Sequence, residues 1–310
     1  MSATFDLALS AARSAAGAQH YPNAALYMVA TPIGNLADIG LRALHVLTLC
    51  DTLACEDTRH SQSLLRAYGI DKSANQWLAV HQHNEAEAAQ EVMRRLAAGQ
   101  RIAYVSDAGT PAVSDPGARL AWQLQASGYR VIPIPGASSV TSLLSAAGSP
   151  HAALPGFVFV GFLPIKSGER LQAVSTLARE NRTQILLEAP HRIEALAQAL
   201  SALKDRPITV GRELTKQFEE IATLPAHELP DWLTANPQRT RGEFALVIHA
   251  QVEESTSDDT QHDKLLQLLL AELPLKTAVK LATELTGTPR NNLYERALWL
   301  KTQTETLSNR

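Results

Sequence analysis

At 310 residues the chain exceeds the size at which one hydrophobic core stops growing, and its formal net charge of −3 gives no global positive field to advertise a nucleic-acid partner. Apolar residues make up 45% of it and charged residues 19%, which excludes a wholly disordered or fibrous chain. Cys50 and Cys55, the only cysteines, fit no zinc spacing and build no disulfide framework, which points to a reducing, cytoplasmic setting.

The first 22 residues are rich in Ala and Ser but carry Asp6 and Arg13. They lack the basic start and apolar stretch of a signal peptide, and read as a flexible extension, residues 1–22. No run of about 18 apolar residues occurs elsewhere, so no membrane-spanning helix is expected. From Leu26, short apolar runs alternate with amphipathic patterns. Leu26–Ala30, Thr52–Glu56, Trp77–Val80, Ile102–Ser106 and Val131–Ile134 read as strands; Ala37–Leu49, Arg59–Tyr68, Glu85–Ala98, Pro116–Ser127 and Ala137–Ala147 read as helices. Such alternation predicts a largely parallel, helix-covered sheet, placed in a first α/β domain over 23–148.

Gly148–Gly156 carries Gly148, Pro150, Pro155 and Gly156, a punctuated boundary. Beyond it the pattern predicts strands at Phe157–Gly161, Gln184–Glu188, Ile208–Arg212 and Glu243–His249, with helices at Gly168–Glu180 and Pro190–Leu203: a second α/β domain, 149–251. Between Val252 and Asp263 five acidic residues stand without Lys or Arg, which predicts a solvated tether, 252–263. Over 264–310, Ala278, Leu281, Ala282 and Leu285 form one helical stripe, Gly287 ends it, and Leu293, Ala297 and Leu300 form another. This helix–turn–helix-like unit carries six basic residues against three acidic ones over Lys264–Lys301, a local charge of +3. A basic helical unit suits phosphate contact; the same face also serves a packing or dimerisation element.

In open α/β sheets ligands bind beyond the carboxyl ends of the strands, so the loops there carry the chemistry. Three are rich in Gly, Pro and small polar residues: Ala30-Thr31-Pro32-Ile33-Gly34-Asn35, Ser106-Asp107-Ala108-Gly109-Thr110-Pro111 and Pro135-Gly136-Ala137-Ser138-Ser139. One alone is an ordinary tight turn; three point to a shared cleft. None is a phosphate-cradling GxxxxGK[ST] or a dinucleotide-binding GxGxxG loop, so the expected ligand is nucleoside-like and lacks phosphates. Glu56 and Asp57, at the end of the second strand, are candidate proton acceptors, with Arg59 and His60 beside them as sugar or phosphate contacts; Asp57 or Thr58 equally suits a helix cap. His191, Arg192, Arg212, Glu213 and Lys216 are secondary candidates at strand ends. His81 and His83 lack a third ligand, so no metal is expected.

The runs LYMVATPIGNLADIGLRAL, CEDTRHS, VSDAGTPAVSDPG, PIPGASSV, FVGFLP, LLEAPHR and GRELTK together resemble the ribosomal RNA small-subunit methyltransferase I family, in register from about Tyr27 to Ile248 and more weakly through the C-terminal helices. The resemblance implies a two-domain tetrapyrrole-methylase-like α/β fold with a cofactor cleft between the domains, plus the C-terminal helical unit. It implies methyl transfer from S-adenosyl-L-methionine to the ribose 2′-hydroxyl of a cytidine in small-subunit ribosomal RNA, bare or within the assembled subunit, by a homodimer. Its motif positions place Pro32, Ala108, Thr110, Val113, Ser138 and Ser139 on the cofactor, with Gly34, Gly109, Pro135 and Gly136 of the same loops also expected to bind it and Glu188 and Ala189 lining the cleft from the second domain. Glu56, Asp57 and Arg59 remain the catalytic candidates. Metabolite-modifying relatives show G-x-G-P-G where this chain has ATPIGN, which favours RNA over a tetrapyrrole-like acceptor. A non-enzymatic nucleic-acid-binding ligand sensor is the third reading, and it leaves the CEDTRH strand end without a purpose.

Overall fold

The computed structural model describes residues 5–81, 84–113, 117–148, 156–251 and 256–308, with side chains in the last range described over 262–301. The chain forms two compact units, residues 1–250 and 251–310. His83, most of the 148–156 boundary and Pro116 lie outside the described residues.

The first sheet joins β1 (Ala25–Val29), β2 (Thr52–Cys55), β3 (Trp77–Ala79), β4 (Arg101–Val105) and β5 (Arg130–Ile134) in the order β3-β2-β4-β1-β5, all parallel. Successive side chains of a strand point to opposite faces, and the core divides accordingly. Tyr27, Val29, Leu53, Cys55, Ala103 and Val105 pack on one side with Leu44 and Leu47 of α2 (Leu41–Leu49) and Leu65 of α3 (Thr58–Ala67). Leu26, Met28, Ala54, Ile102 and Tyr104 pack on the other with Val92 and Leu96 of α4 (Glu85–Ala97) and Leu120 and Leu124 of α5 (Gly117–Ala126).

The expected flexible extension is in part a helix, α1 (Asp6–Ala16). Ala8, Ala12 and Ala16 recur every fourth residue, and small side chains let the helix approach closely; Ala12 and Ala16 are buried in the first core. Phe5, just before it, sets its ring edge-on to Tyr68, with centroids 4.9 Å apart.

The second sheet runs β6-β7-β10-β8-β9, from β6 (Phe157–Gly161), β7 (Thr183–Glu188), β8 (Pro207–Arg212), β9 (Glu220–Pro225) and β10 (Phe244–Ile248); only β6 and β7 are parallel. Its outer face carries α7 (Ser167–Arg179), α8 (Ile193–Leu200) and α9 (Leu229–Thr234) through Val174, Leu196, Leu200 and Leu229. Its inner face is covered by α6 (Ser139–Ala147) of the first half: Val140 and Leu143 meet Ile185, Ala245 and Val247. A Cβ at Gly211 would lie 2.6 Å from Leu143 Cδ1, so bare backbone there admits the leucine. One helix thus knits both sheets into a single unit.

The second unit holds α10 (Thr256–Glu272), α11 (Leu275–Thr286) and α12 (Arg290–Ser308). The expected tether over 252–263 is therefore helical from Thr256. Asp263, within it, accepts two 2.7 Å hydrogen bonds from the Arg296 guanidinium. Gly287, at φ 72°, ends α11 as expected, but Leu285 is exposed; the buried stripe is Ala278, Val279 and Ala282. Among the described residues no helix is long and apolar enough to cross a membrane.

Candidate active site

The loops at the carboxyl ends of β1, β4 and β5 bind one another before they bind anything else. The Thr31 N–H donates to the Gly109 carbonyl (3.0 Å), and the Thr110 hydroxyl to the Ala137 carbonyl (3.0 Å). The Ser106 hydroxyl donates to the carbonyls of Ala108 (3.3 Å) and Gly109 (3.4 Å), closing its own loop. Gly109 sits at φ 78°, a conformation open to glycine, and a Cβ on Gly136 would lie 2.9 Å from that of Ala30. Glycine here serves loop-to-loop packing.

These loops and the inner face of the second sheet enclose two adjoining cavities of about 240 and 270 Å3, which share Ile33, Ser139, Phe162 and Leu187 as walls. Together they fall within the roughly 300–1,000 Å3 of small-molecule sites. The first is polar: Glu56 and Asp107 line it, with Ser106, Ser138 and the backbone-rich segment from Ala108 to Thr110. The second is more apolar, bounded by Leu214, Phe244 and Ala245, with Glu188 and Glu243 as its carboxylates.

Of the residues expected on the cofactor, Ala108, Gly109, Thr110, Val113, Ser138 and Ser139 line the first cavity, and Glu188 and Ala189 the second. Pro32, Gly34, Pro135 and Gly136 do not reach either wall; they shape the loops behind, and Ile33 points inward in place of its neighbours.

The catalytic candidates separate. Glu56 lines the first cavity. Asp57 does not: its carboxylate caps α3, accepting the Arg59 N–H at 2.8 Å, and pairs with the Arg59 guanidinium, whose side chain is 90% exposed. Hydrogen bonds from the Arg59 side chain and backbone hold the Asp57 carboxyl below its usual range. Arg59 and the exposed His60 therefore lie on the outer turn. Asp107, not singled out in the sequence, takes the inner place beside Glu56, and its Oδ1 accepts the Asp57 N–H at 3.3 Å.

Glu188 is 2% exposed. One carboxylate oxygen accepts the Ala189 N–H (2.9 Å) and lies 3.0 Å from Arg192 Nε; Oε2 finds no hydrogen-bond partner among the described residues. A buried carboxylate oxygen without a donor is costly, and on a cavity wall it is satisfied by a ligand's hydroxyl or amino group. Arg192 also donates to the Leu163 carbonyl and so holds the Glu188 carboxylate in place, whereas Arg212 is spent on the carbonyls of Arg241 and Phe218 (2.8 and 2.9 Å) and serves packing. His191 is exposed, and His81 donates its backbone N–H to Asn84. Burial pushes the Cys55 thiol up to about 11 and Cys50 to about 12, which leaves both protonated and inert. Among the described residues no group of three His, Cys, Asp or Glu is placed to hold a metal ion.

Residues 25–230 match the family described as Tetrapyrrole (Corrin/Porphyrin) Methylases, and 256–301 match the RsmI C-terminal HTH domain. Curated relatives named "Ribosomal RNA small subunit methyltransferase I" include that of Pseudomonas aeruginosa, 44% identical over 88% of this chain and 96% of its own, and that of Haemophilus influenzae, 42% identical over 87% and 95%. The Escherichia coli O157:H7 relative of the same name is 43% identical over 88% and 94%. Among solved structures, a cobalt precorrin-4 methyltransferase of cobalamin biosynthesis superposes with a TM-score of 0.53 at 19% identity over 72% of this chain and 94% of its own. The methyltransferase CobJ gives 0.53 at 15% identity over 73% and 94%, and both likenesses concern the fold.

Proposed function

Because the chain belongs to the ribosomal RNA small subunit methyltransferase I family, built on the tetrapyrrole-methylase fold, we propose that its cleft transfers a methyl group from S-adenosylmethionine to the ribose 2′-hydroxyl of a cytidine in small-subunit ribosomal RNA. The observation that carries this reading is the paired cavity: a second chamber with apolar walls and the unsatisfied Glu188 oxygen suits a nucleoside, and a first chamber bearing Glu56 and Asp107 suits a hydroxyl acceptor.

The bound cofactor supplies an electrophilic methyl on a sulfonium, which leaves as a neutral thioether without protonation. The protein's task is then mainly positioning and the removal of one proton. Glu188 Oε2 accepts from hydroxyl or amino donors in the second chamber, while Phe244, Leu214 and Leu187 exclude water. Ser138 and Ser139 begin α6, whose first N–H groups and dipole favour a carboxylate. Glu56 or Asp107 orients the ribose hydroxyl and receives its proton, and the exposed basic residues of the second unit hold the RNA backbone. The protein acts as a homodimer, which light scattering of the purified chain tests.

The decisive experiment is mass spectrometry of small-subunit ribosomal RNA from cells with and without the protein, resolving ribose from base methylation. Loss of one 2′-O-methylcytidine, restored by the protein with S-adenosylmethionine, is the expected result. An unchanged RNA profile overturns the reading in favour of a small-molecule acceptor.

A further inference from the structure

The segment after β8, Glu213 to Lys216, has a task that the cavity walls alone do not explain. Glu213 (φ 50°) and Thr215 (φ 67°) both adopt left-handed backbone conformations that side-chain-bearing residues seldom take. The bend is held in place. Glu213 N–H donates to the Glu243 carbonyl and Glu243 N–H returns a bond to Glu213 Oε1, each at 3.0 Å; Thr215 N–H donates to Glu219 Oε2 at 2.6 Å. Gly242 must be bare, since a Cβ there would lie 2.4 Å from the Glu213 carboxyl group.

What this bend delivers is Lys216. Its Nζ lies 2.8 Å from Glu213 Oε1 and 2.9 Å from Glu243 Oε2. Burial opposes the charge, but the two carboxylates outweigh it and hold the ammonium above its usual range. The stem then crosses the loop after β1: a Cβ at Gly34 would meet Lys216 Cγ at 2.5 Å and Cε at 2.9 Å. Gly34 lines neither cavity, and its bare backbone admits the Lys216 stem. On one side of this contact stands Ile33, a wall of both cavities; on the other stand Leu214 and Glu243, walls of the second.

We propose that Lys216 is a positioning residue that pins the 30–35 loop to the second sheet, its stem seated on Gly34 and its ammonium locked between Glu213 and Glu243, and so presets the width of the cofactor cleft. The inference rests on reading the cleft as the S-adenosylmethionine site.

The test is calorimetric titration of the full chain with S-adenosylhomocysteine, comparing wild type with Gly34→Ala, Lys216→Ala, Lys216→Met and Lys216→Arg, with thermal melts to show that each is folded. Gly34→Ala, Lys216→Ala and Lys216→Met are expected to weaken binding about tenfold, and Lys216→Arg, which keeps both stem and charge, to restore it to within about threefold. Methyl transfer by the weakened variants is expected to show a raised cofactor KM with kcat largely kept, a split that general destabilisation does not produce. Wild-type affinity in both Gly34→Ala and Lys216→Ala overturns the inference alone. Failure of the wild-type chain itself to bind overturns the cleft assignment beneath it.

Discussion

Glu56 and Asp57 are neighbours in the chain with opposite surroundings. β2 ends at Cys55, so Glu56 enters the cavity while Asp57 turns outward to cap α3. Glu56→Gln and Asp107→Asn are therefore expected to lower kcat, the residue that accepts the proton by about 10²-fold or more, with S-adenosylhomocysteine affinity little changed. Asp57→Ala is expected to lower the melting temperature through loss of its cap while kcat is retained. Measured side by side, these separate proton transfer from capping; equal kcat losses in Asp57→Ala and Glu56→Gln would contradict the assignment. Glu213 gives a pH test at the same scale. Burial raises its pKa, but Lys216 and the Glu243 amide lower it further, so the folded value lies below that of the unfolded chain, about 4.3. A depressed carboxylate contributes stability above the unfolded value and loses it as pH falls through the folded one. The difference in melting temperature between wild type and Glu213→Gln is thus expected to be full at pH 7 and to shrink below about pH 4.3, as calorimetry from pH 7 to 3 would show. The loops carrying Ala108, Thr110, Ser138 and Ser139 were legible because Gly and Pro punctuate them. Ile33, Phe162, Leu187 and Leu214 were not, since an apolar cavity wall reads like core. Nor does sequence tell which of two adjacent carboxylates points inward.

At the scale of elements, α6 links the halves, and its seat is the pair Leu143 and Gly211. Gly211→Ala forces a methyl into Leu143 and is expected to cost about 1–3 kcal/mol; Leu143→Ala leaves a void costing about 2–5 kcal/mol. Since the void accommodates the methyl, the double variant is expected to lose less than the sum, by about 0.5–3 kcal/mol in a urea-denaturation cycle. Strict additivity would show that the two do not meet. The strands of the first sheet were legible because both faces are covered, giving unbroken apolar runs such as Ala25–Val29. β9 was not: Glu220–Pro225 is an edge strand with alternate residues exposed and a closing proline. Neither was α1, whose fully buried residues, Ala12 and Ala16, are too small to mark an amphipathic stripe.

For the whole molecule, charge is the telling quantity. The chain is net negative, yet Lys264–Lys301 carries a local +3, and Lys264, Lys276, Lys280, Arg290 and Lys301 are exposed. Arg296 is engaged elsewhere, paired with Asp263 and set over the Trp299 ring at 4.6 Å. Phosphate binding by such residues leaves a quantitative signature in the salt dependence of affinity. Each phosphate neutralised by a Lys or Arg steepens the slope of log K against log salt by about 0.7–0.9. Replacing Lys276, Lys280 and Arg290 together by Gln is expected to flatten the slope for ribosomal RNA by that amount for every one of the three that touches a phosphate. Affinity for S-adenosylhomocysteine should stay unchanged, because none of the three lines the cleft. A flattened slope with intact cofactor binding assigns RNA capture to the second unit and chemistry to the first. An unaltered slope would make the helical unit a packing or dimerisation element and place RNA binding on the α/β unit, where Arg59 and His60 stand exposed beside the cavity.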